Sequence, residues 1–88
     1  MVKYQLIITR HAAKEARNIA SAGLKPKVDS LLQIIAENPF ATHPPYEKLS
    51  GQLRGAYSRR INTQHRLVYE VLEEEKVVKI LRMWTHYE

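Results

Sequence analysis

The sequence predicts an α+β domain in which two N-terminal helices pack on one face of an antiparallel β-sheet. Apolar residues recur with helical spacing in two stretches between residues 12 and 37, after one strand-like segment and before three more. The predicted order is therefore strand, helix, helix, strand, strand, strand. Strands joined by tight turns pair antiparallel, and two amphipathic helices are the expected cover for one face of their sheet. The 88 residues suffice for a single domain over residues 1–88.

The first half of the chain carries clear boundaries for its elements. Residues 3–9 are rich in β-branched and aromatic side chains and predict a strand, and Thr9 is suited to cap the helix that follows. Gly23 ends that first helix, and Pro26 fits the first position of a second one. An Asn-Pro pair ends the second helix. Its strong apolar stripe consists of Val28, Leu31, Leu32, Ile34 and Ile35.

The second half begins with a segment that has little periodicity. Residues 39–55 contain three prolines and two glycines and predict an ordered but irregular loop, whose length hints at a functional role. Three strand-like runs follow, joined by short turns. The strands are predicted over residues 56–61, 66–72 and 77–85, and the turns over 62–64 and 73–75.

The composition favours a polyanionic partner. The chain has a net charge of +5, no cysteine, and no long apolar segment of the kind found in signal peptides or membrane spans. Charge alone leaves nucleic acid, an acidic protein and an anionic membrane open as partners. The lack of cysteine excludes disulfides, thiolate metal sites and a cysteine nucleophile, and it suits a reducing cytosol.

The positive charge is concentrated between Lys48 and Tyr69, where the chain has no acidic residue. The basic residues of this stretch are Lys48, Arg54, Arg59, Arg60 and Arg66. They form either a positive sheet edge that discourages aggregation or a phosphate-binding surface, and composition does not decide between the two. Tyr57, Tyr69 and Trp84 are candidates for stacking on unpaired bases, although at least one tyrosine is expected in the core.

Two residues are candidates for proton transfer. Glu47 is either a surface carboxylate paired with a neighbouring lysine or a general base kept ionised by nearby cations. His86 is either a solvated tail residue or a general acid, because histidine exchanges protons near neutral pH. In the last predicted strand, Arg82, Trp84 and His86 have the same parity and are expected on one face. The four histidines are too widely spaced for a metal site, so no metal or other cofactor is expected.

Four segments of the chain together resemble one protein family. They are Glu47-Lys48-Leu49, Tyr57-Ser58-Arg59-Arg60-Ile61-Asn62, His65-Arg66-Leu67-Val68-Tyr69 and His86-Tyr87. Their order and spacing are similar to those of the YoeB/Txe family of bacterial toxins, within the RelE/ParE superfamily. The first half of the chain agrees with this family in its pattern of one strand and two helices.

The resemblance implies a fold, an activity and partners. Members have a RelE-like fold and are metal-independent endoribonucleases, or mRNA interferases, which cut messenger RNA in the ribosomal A site and inhibit translation. An antitoxin of the YefM type neutralises each toxin, and the toxin–antitoxin complex binds operator DNA as a corepressor of its own promoter. These partners imply a cytoplasmic protein that does not act on membranes. The sequence leaves open whether the chain also forms a homodimer.

Carried over residue by residue, the resemblance assigns catalytic roles to three residues. Glu47 corresponds to the general base, Arg66 to the arginine that stabilises the phosphate, and His86 to the general acid. The residues implied in RNA or phosphate binding are Lys48, Arg59, Arg60, Trp84 and Tyr87. With these groups the substrate's own 2′-hydroxyl can act as the nucleophile, so we expect a 2′,3′-cyclic phosphate product.

Two other functions stay open at this point. A ParE-like inhibitor of DNA gyrase shares the fold, but ParE-like chains lack a terminal His-Tyr pair with a matched Glu and Arg. A basic nucleic-acid-binding module without catalysis is the second alternative. The residues quoted above favour the ribonuclease over both.

Overall fold

The computed structural model describes residues 3–84, with the backbone alone at Trp84. Its elements are β1 (Gln5–Ile8), α1 (Arg10–Ser21), α2 (Lys25–Glu37), β2 (Tyr46–Lys48), a 3₁₀ helix (Gly51–Leu53), β3 (Ala56–Arg60), β4 (Arg66–Leu72) and β5 (Val77–Trp84). The five strands form one sheet in the order β1-β5-β4-β3-β2. The predicted α+β class is confirmed, since both helices pack on a mostly antiparallel sheet.

Helix α1 begins where the sequence predicts. Thr9 Oγ1 accepts a hydrogen bond from the Ala12 backbone N–H at 3.2 Å, which is the contact of an N-cap residue. The same hydroxyl donates to the carbonyl oxygen of Ile80 at 2.9 Å, so the cap also ties the helix to β5. The helix ends at Ser21, and Gly23 takes a positive φ of 78°, which residues with a Cβ rarely adopt.

The apolar stripe of α2 is confirmed as a core face for Val28, Leu31, Leu32 and Ile35, whereas Ile34 is not part of the core cluster. Val28, Leu31 and Ile35 are buried in one cluster with residues of the sheet. The sheet contributes Leu67, Tyr69, Val78, Ile80 and Met83 to that cluster. Full burial of an aliphatic side chain stabilises a fold by about 1.5–3 kcal/mol, so this layer is what fixes the helices against the strands.

Two features of the sheet differ from the prediction. Strand β1 pairs parallel with β5, which is possible because both helices and three strands separate the two along the chain. The sequence predicts an irregular loop over residues 39–55, but β2 lies within that stretch and pairs antiparallel with β3. A strand of three residues is too short to show alternation in the sequence.

An irregularity in β5 changes which of its residues face the helices. Val68 pairs with Arg82, whereas the next residue of β4 pairs with Ile80, so Leu81 is an extra residue in β5. A bulge of this kind shifts the alternation of side chains by one position. Met83 therefore joins Ile80 in the core.

Candidate functional site

A cleft of about 590 Å³ opens beside strands β2, β3 and β4. We call it the cationic cleft, and it is lined by Lys27, Pro44, Pro45, Glu47, Ser58, Arg60, Ile61, Asn62, Thr63 and Arg66. Three of these side chains are cations and one is a carboxylate. Such a lining suits an anionic ligand, because arginine and lysine form charge-assisted hydrogen bonds with phosphate oxygens.

The register of the sheet brings Glu47 and Arg66 together. Glu47 lies opposite Ser58, which lies opposite Val68, so Glu47 and Arg66 leave the same face of the sheet. Arg66 Nη1 donates to Glu47 Oε1 at 3.4 Å, and 24% and 65% of these two side chains are exposed. A pair this long and this open adds about 1 kcal/mol or less to stability. The two groups are therefore adjacent without being locked to each other.

Arg60 is the direct cross-strand partner of Arg66. Like charges in this position destabilise an antiparallel pair. Arg60 is exposed and has no ion pair or side-chain hydrogen bond with any residue in the range 3–84. Two opposed arginines lower the stability of the sheet and attract an anion, and their planar groups match the geometry of phosphate oxygens.

Ser58 lies on the cleft wall, directly across from Glu47. Only 1% of this residue is exposed, and its Oγ has no hydrogen-bond partner in the part of the chain that the structure describes. A buried polar group without a partner costs about 1–3 kcal/mol. The hydroxyl is therefore a donor that a ligand oxygen or the adjacent carboxylate can satisfy.

Arg59 is buried and does not reach the cationic cleft. Only 1% of it is exposed, and its guanidinium donates to the carbonyl oxygens of Pro39, Ala41 and Pro44 at 3.0, 2.8 and 2.6 Å. Its Nε donates to Tyr69 Oη at 3.0 Å. The expectation that Arg59 binds RNA is therefore wrong, because neighbouring residues of a strand face opposite sides and Arg59 takes the core side. It fixes the loop that leads into β2.

Tyr69 belongs to the same buried network. Its Oη donates to the Pro39 carbonyl oxygen at 2.7 Å while it accepts from Arg59. Burial raises the pKa of Tyr69 and outweighs the opposing effect of the Arg59 charge, so the phenol stays protonated and able to donate. Ring contacts with centroids 5.3 to 6.0 Å apart link Phe40, Tyr46, Tyr57 and Tyr69. Tyr69 is thus the core tyrosine that the sequence predicts.

The other predicted binding residues lie outside the cleft lining or outside the described side chains. Lys48 is exposed and does not line the cleft. It follows Glu47 in β2, so its side chain projects from the opposite face of the sheet. The backbone of Trp84 pairs with Arg66, which places this position beside the cleft in the register of the sheet. His86 and Tyr87 lie outside the described residues, so their roles stay predictions.

Glu15 on α1 binds the last part of β5. Its Oε1 accepts from the Met83 backbone N–H at 2.8 Å, and Arg82 Nη2 donates to its Oε2 at 2.5 Å. Burial raises the pKa of Glu15, but the hydrogen bonds from Arg82 and Met83 and the charge of Arg82 outweigh it and hold that pKa below its ordinary value. Arg82 is therefore paired with Glu15 of α1. Because the Trp84 side chain and His86 lie outside the described part of the chain, the shared face of Arg82, Trp84 and His86 stays a prediction.

A family model described as the YoeB-like toxin of bacterial type II toxin–antitoxin systems matches residues 14–87. This chain belongs to the YoeB-like toxins. The resemblance inferred from the motifs of the second half is confirmed, and the protein is a toxin of a type II toxin–antitoxin system.

Individual relatives of the toxin agree with this family. Toxin YoeB from Synechocystis sp. is 35% identical over 65 residues, which cover 74% of this chain and 73% of the relative. A YoeB/ParE toxin from Agrobacterium tumefaciens has a TM-score of 0.84 at 27% identity, covering 94% of this chain and 99% of that one. A YoeB–YefM complex from Staphylococcus aureus contains a chain with a TM-score of 0.78 at 31% identity, covering 96% and 98%. The RelE-like arrangement of helices on a sheet is thus shared with solved YoeB toxins.

Two residues that the sequence did not single out take part in this arrangement. Lys27 lies on α2 and lines the cationic cleft together with the turn after β3. Glu15 bonds to residues more than 60 positions away along the chain. Neither contact has a signal in the sequence, because a charged residue on a helix is usually solvated and only the packing of the helix shows what it meets.

Four acidic residues of the described chain, Glu15, Asp29, Glu47 and Glu73, form ion pairs with lysine or arginine. Within residues 3–84, no group of three or more His, Asp or Glu side chains is placed to hold a metal ion. Glu47 and Glu15 each face an arginine. No helix in the same part of the chain is long and apolar enough to cross a membrane.

Proposed function

We propose that this toxin is an endoribonuclease of the mRNA interferase type, which cuts messenger RNA in the ribosomal A site and inhibits translation in the cytoplasm. The observation that carries the proposal is the adjacency of Glu47 and Arg66, with Arg60 opposite Arg66, in one cationic cleft. A proton acceptor beside two permanent cations is what RNA cleavage by the substrate's own 2′-hydroxyl requires. The ribosomal site of action comes from the family resemblance.

In the proposed reaction, Glu47 takes the proton of the 2′-hydroxyl. The 2′-oxygen forms a bond to the adjacent phosphorus, and the bond between phosphorus and the 5′-oxygen breaks. Arg66 and Arg60 stabilise the negative charge that develops on the phosphate oxygens, and a preorganised donor of this kind contributes about 3–4 kcal/mol. His86, the proposed general acid, gives its proton to the departing 5′-oxygen. The products are a 2′,3′-cyclic phosphate and a 5′-hydroxyl.

The proposed chemistry uses no metal and no cofactor. The substrate supplies the nucleophile, the arginines supply positive charge, and the carboxylate and the imidazole move the protons. Each proton-transfer group contributes roughly 100- to 10,000-fold to the rate. Trp84 and Tyr87 stay proposed stacking residues for the bases, and Lys48 stays a proposed contact to the RNA backbone outside the cleft.

The proposed partner that neutralises the toxin is an antitoxin of the YefM type. A similar chain from Staphylococcus aureus has been solved in a YoeB–YefM complex. The net charge of +5 on the toxin favours an acidic, partly disordered peptide that folds as it binds. We further propose that this complex binds operator DNA and acts as a corepressor.

The proposed function is tested in a translation extract that contains end-labelled message. We expect the wild-type toxin to cut the message at codon boundaries. Glu47→Gln keeps the size of the side chain and removes its proton acceptor, so it should lower the cleavage rate by about 100-fold or more. Lys25→Ala is the matched control, because Lys25 is paired with Asp29 and does not line the cleft.

Two outcomes of that experiment would contradict the ribonuclease function and indicate a different one. Retention of the message on the toxin without any cut would indicate a binding module that lacks catalysis. An intact message together with inhibition of DNA supercoiling by gyrase would indicate a ParE-like inhibitor.

A further inference from the structure

The cationic cleft extends beyond the Glu47–Arg66 pair to a second group of donors. Lys27 from α2, Arg60 from β3 and the turn residues Asn62 and Thr63 line its other part. Three separate elements of the fold therefore meet in this part of the cleft. Of its side chains, only Arg60 has a role in the proposed reaction. Of these side chains, only Arg60 belongs to the sequence-predicted set.

This part of the cleft has positive charge that nothing compensates in the described chain. Neither Lys27 nor Arg60 has an ion pair or a side-chain hydrogen bond with any residue between positions 3 and 84. Both residues are exposed. Among the described residues, Glu47 is the only one with a carboxylate that lines the cleft, and it is paired with Arg66. A ligand here would therefore contact two cations that form no ion pair with any described residue.

Asn62 adds a neutral donor to the two cations. Its Oδ1 accepts hydrogen bonds from the backbone N–H groups of Gln64 and His65 at 2.8 and 2.7 Å. The carbonyl side of the amide is thus used to close the turn, and the amide NH₂ is the group that stays available. Lys27, Arg60 and the Asn62 amide are all donors, so the ligand that fits them is an acceptor with negative charge.

We infer that Lys27 and Asn62 form a second phosphate subsite, which binds the RNA phosphate next to the one that is cleaved, with Arg60 between the two phosphates. The inference rests on the proposed ribonuclease function. Continuity with the Glu47–Arg66 pair favours RNA over an acidic peptide, because the same cleft would hold two successive phosphates of one strand. Lysine suits the role, since its ammonium group binds phosphate as a point charge without demanding one orientation of the strand.

The subsite is tested by binding and not by cleavage. The probe is a short 2′-O-methyl oligoribonucleotide, which the proposed reaction cannot cut because its 2′-oxygen carries no proton. Its affinity for the full chain is measured at several salt concentrations. One lost phosphate contact lowers the slope of log affinity against log salt by about 0.7 for a single strand. We expect this change in Lys27→Ala, with a loss of affinity of about three- to tenfold at low salt.

Lys25→Ala is the matched control for this measurement. Lys25 lies two positions away on the same helix and is also exposed. It is paired with Asp29 at 2.9 Å and does not line the cleft. It should keep the wild-type affinity and slope. Lys27→Arg keeps the charge and should restore most of the affinity that Lys27→Ala loses.

A second probe locates the contact on the RNA. It carries one uncharged methylphosphonate next to the position of cleavage. We expect the wild-type protein to bind it more weakly than the charged probe, and Lys27→Ala to bind both probes equally.

The subsite is refuted if Lys27→Ala and Lys25→Ala give the same affinity and slope. If the wild-type toxin still cuts message in the extract, only the subsite fails and the proposed function stands. If the wild-type protein neither binds the probe nor cuts message, both fail. Weaker binding of an acidic antitoxin peptide by Lys27→Ala, with unchanged RNA binding, would assign these donors to the antitoxin and overturn the subsite.

Discussion

Arg59 Nε lies 3.0 Å from Tyr69 Oη in the interior of the protein, although the next residue, Arg60, lies exposed in the cationic cleft. The two arginines are neighbours on one strand, but their side chains project from opposite faces of the sheet and have different roles. Arg59 satisfies three loop carbonyl oxygens and thereby holds the loop before β2. Arg60 has no such partner among the described residues and opposes Arg66 across the sheet.

Alanine substitution of Arg59 and of Arg60 should have different effects on the stability of the protein. Arg59→Ala removes the donor from the carbonyl oxygens of Ala41 and Pro44, whereas that of Pro39 keeps the Tyr69 hydroxyl. Each unsatisfied group costs about 1–3 kcal/mol, and the buried guanidinium also leaves a cavity. We expect the free energy of unfolding to fall by at least about 3 kcal/mol, which is much of the stability of a small domain. Arg60→Ala should leave the free energy of unfolding unchanged or raise it slightly, because the substitution removes the like-charge pair with Arg66. Urea denaturation measures both, and similar losses in the two variants would contradict this difference.

Glu15 should make stability depend on pH. Its pKa in the folded protein lies below its ordinary value of 4.5, so its contribution is present above that value and is lost as pH falls through the lowered folded pKa. We expect Glu15→Gln to be less stable than wild type by about 1–2 kcal/mol near neutral pH, since a neutral amide forms weaker hydrogen bonds with Arg82 and Met83. The two stability curves should converge as pH falls through the lowered folded pKa of Glu15.

Urea denaturation across this pH range checks the prediction for Glu15. Glu74→Gln, in the exposed turn before β5, is the control and should follow the wild-type curve. Parallel curves for wild type and Glu15→Gln, with a constant difference at every pH, would show that the charge of Glu15 is not what matters.

Substitution of Ser58 by alanine should lower the rate of RNA cleavage without lowering the stability of the protein. Ser58→Ala removes a buried hydroxyl that has no partner among the described residues, so the free energy of unfolding should stay the same or rise by about 1 kcal/mol. The rate of RNA cleavage should fall by about two- to tenfold, which corresponds to one neutral hydrogen bond to the substrate or to Glu47. Ser50→Ala, at an exposed position, is the control. A fall in stability with unchanged cleavage would mean that the hydroxyl serves only the fold.

The local signals in the sequence were sufficient for the helices. Thr9, Gly23 and Pro26 act through their own backbone chemistry, so their effect on the ends of the helices is visible without the rest of the molecule. Strand β2 and the parallel pairing of β1 have no comparable signal. They depend on long-range pairing, which becomes visible only when the sheet is assembled.

The same distinction applies to the candidate site. The motifs pointed to Glu47, Arg60 and Arg66, and the structure brings all three to one cleft. They misassigned Arg59, because two adjacent arginines look alike until the core side of the strand is known. They missed Lys27, because its place in the cleft depends on how α2 packs beside the turn after β3.

His86 should be needed for cleavage and not for folding. We expect His86→Ala to unfold at the same urea concentration as wild type and to cut message at least about 100-fold more slowly, because the departing 5′-oxygen loses its proposed acid. Glu88→Gln is a control close by in the sequence and should keep most of the activity. Wild-type toxicity of a well-folded His86→Ala protein would refute the role proposed for His86.

The chemistry of the 3′ ends tests the central proposal most directly. RNA fragments released by the wild-type toxin in the translation extract are isolated, and their 3′ ends are identified by mass spectrometry. Attack by the substrate's 2′-hydroxyl, with Glu47 as the base, predicts fragments that end in a 2′,3′-cyclic phosphate or in its hydrolysis product, a phosphate. Fragments that end only in a 3′-hydroxyl would contradict the proposed mechanism.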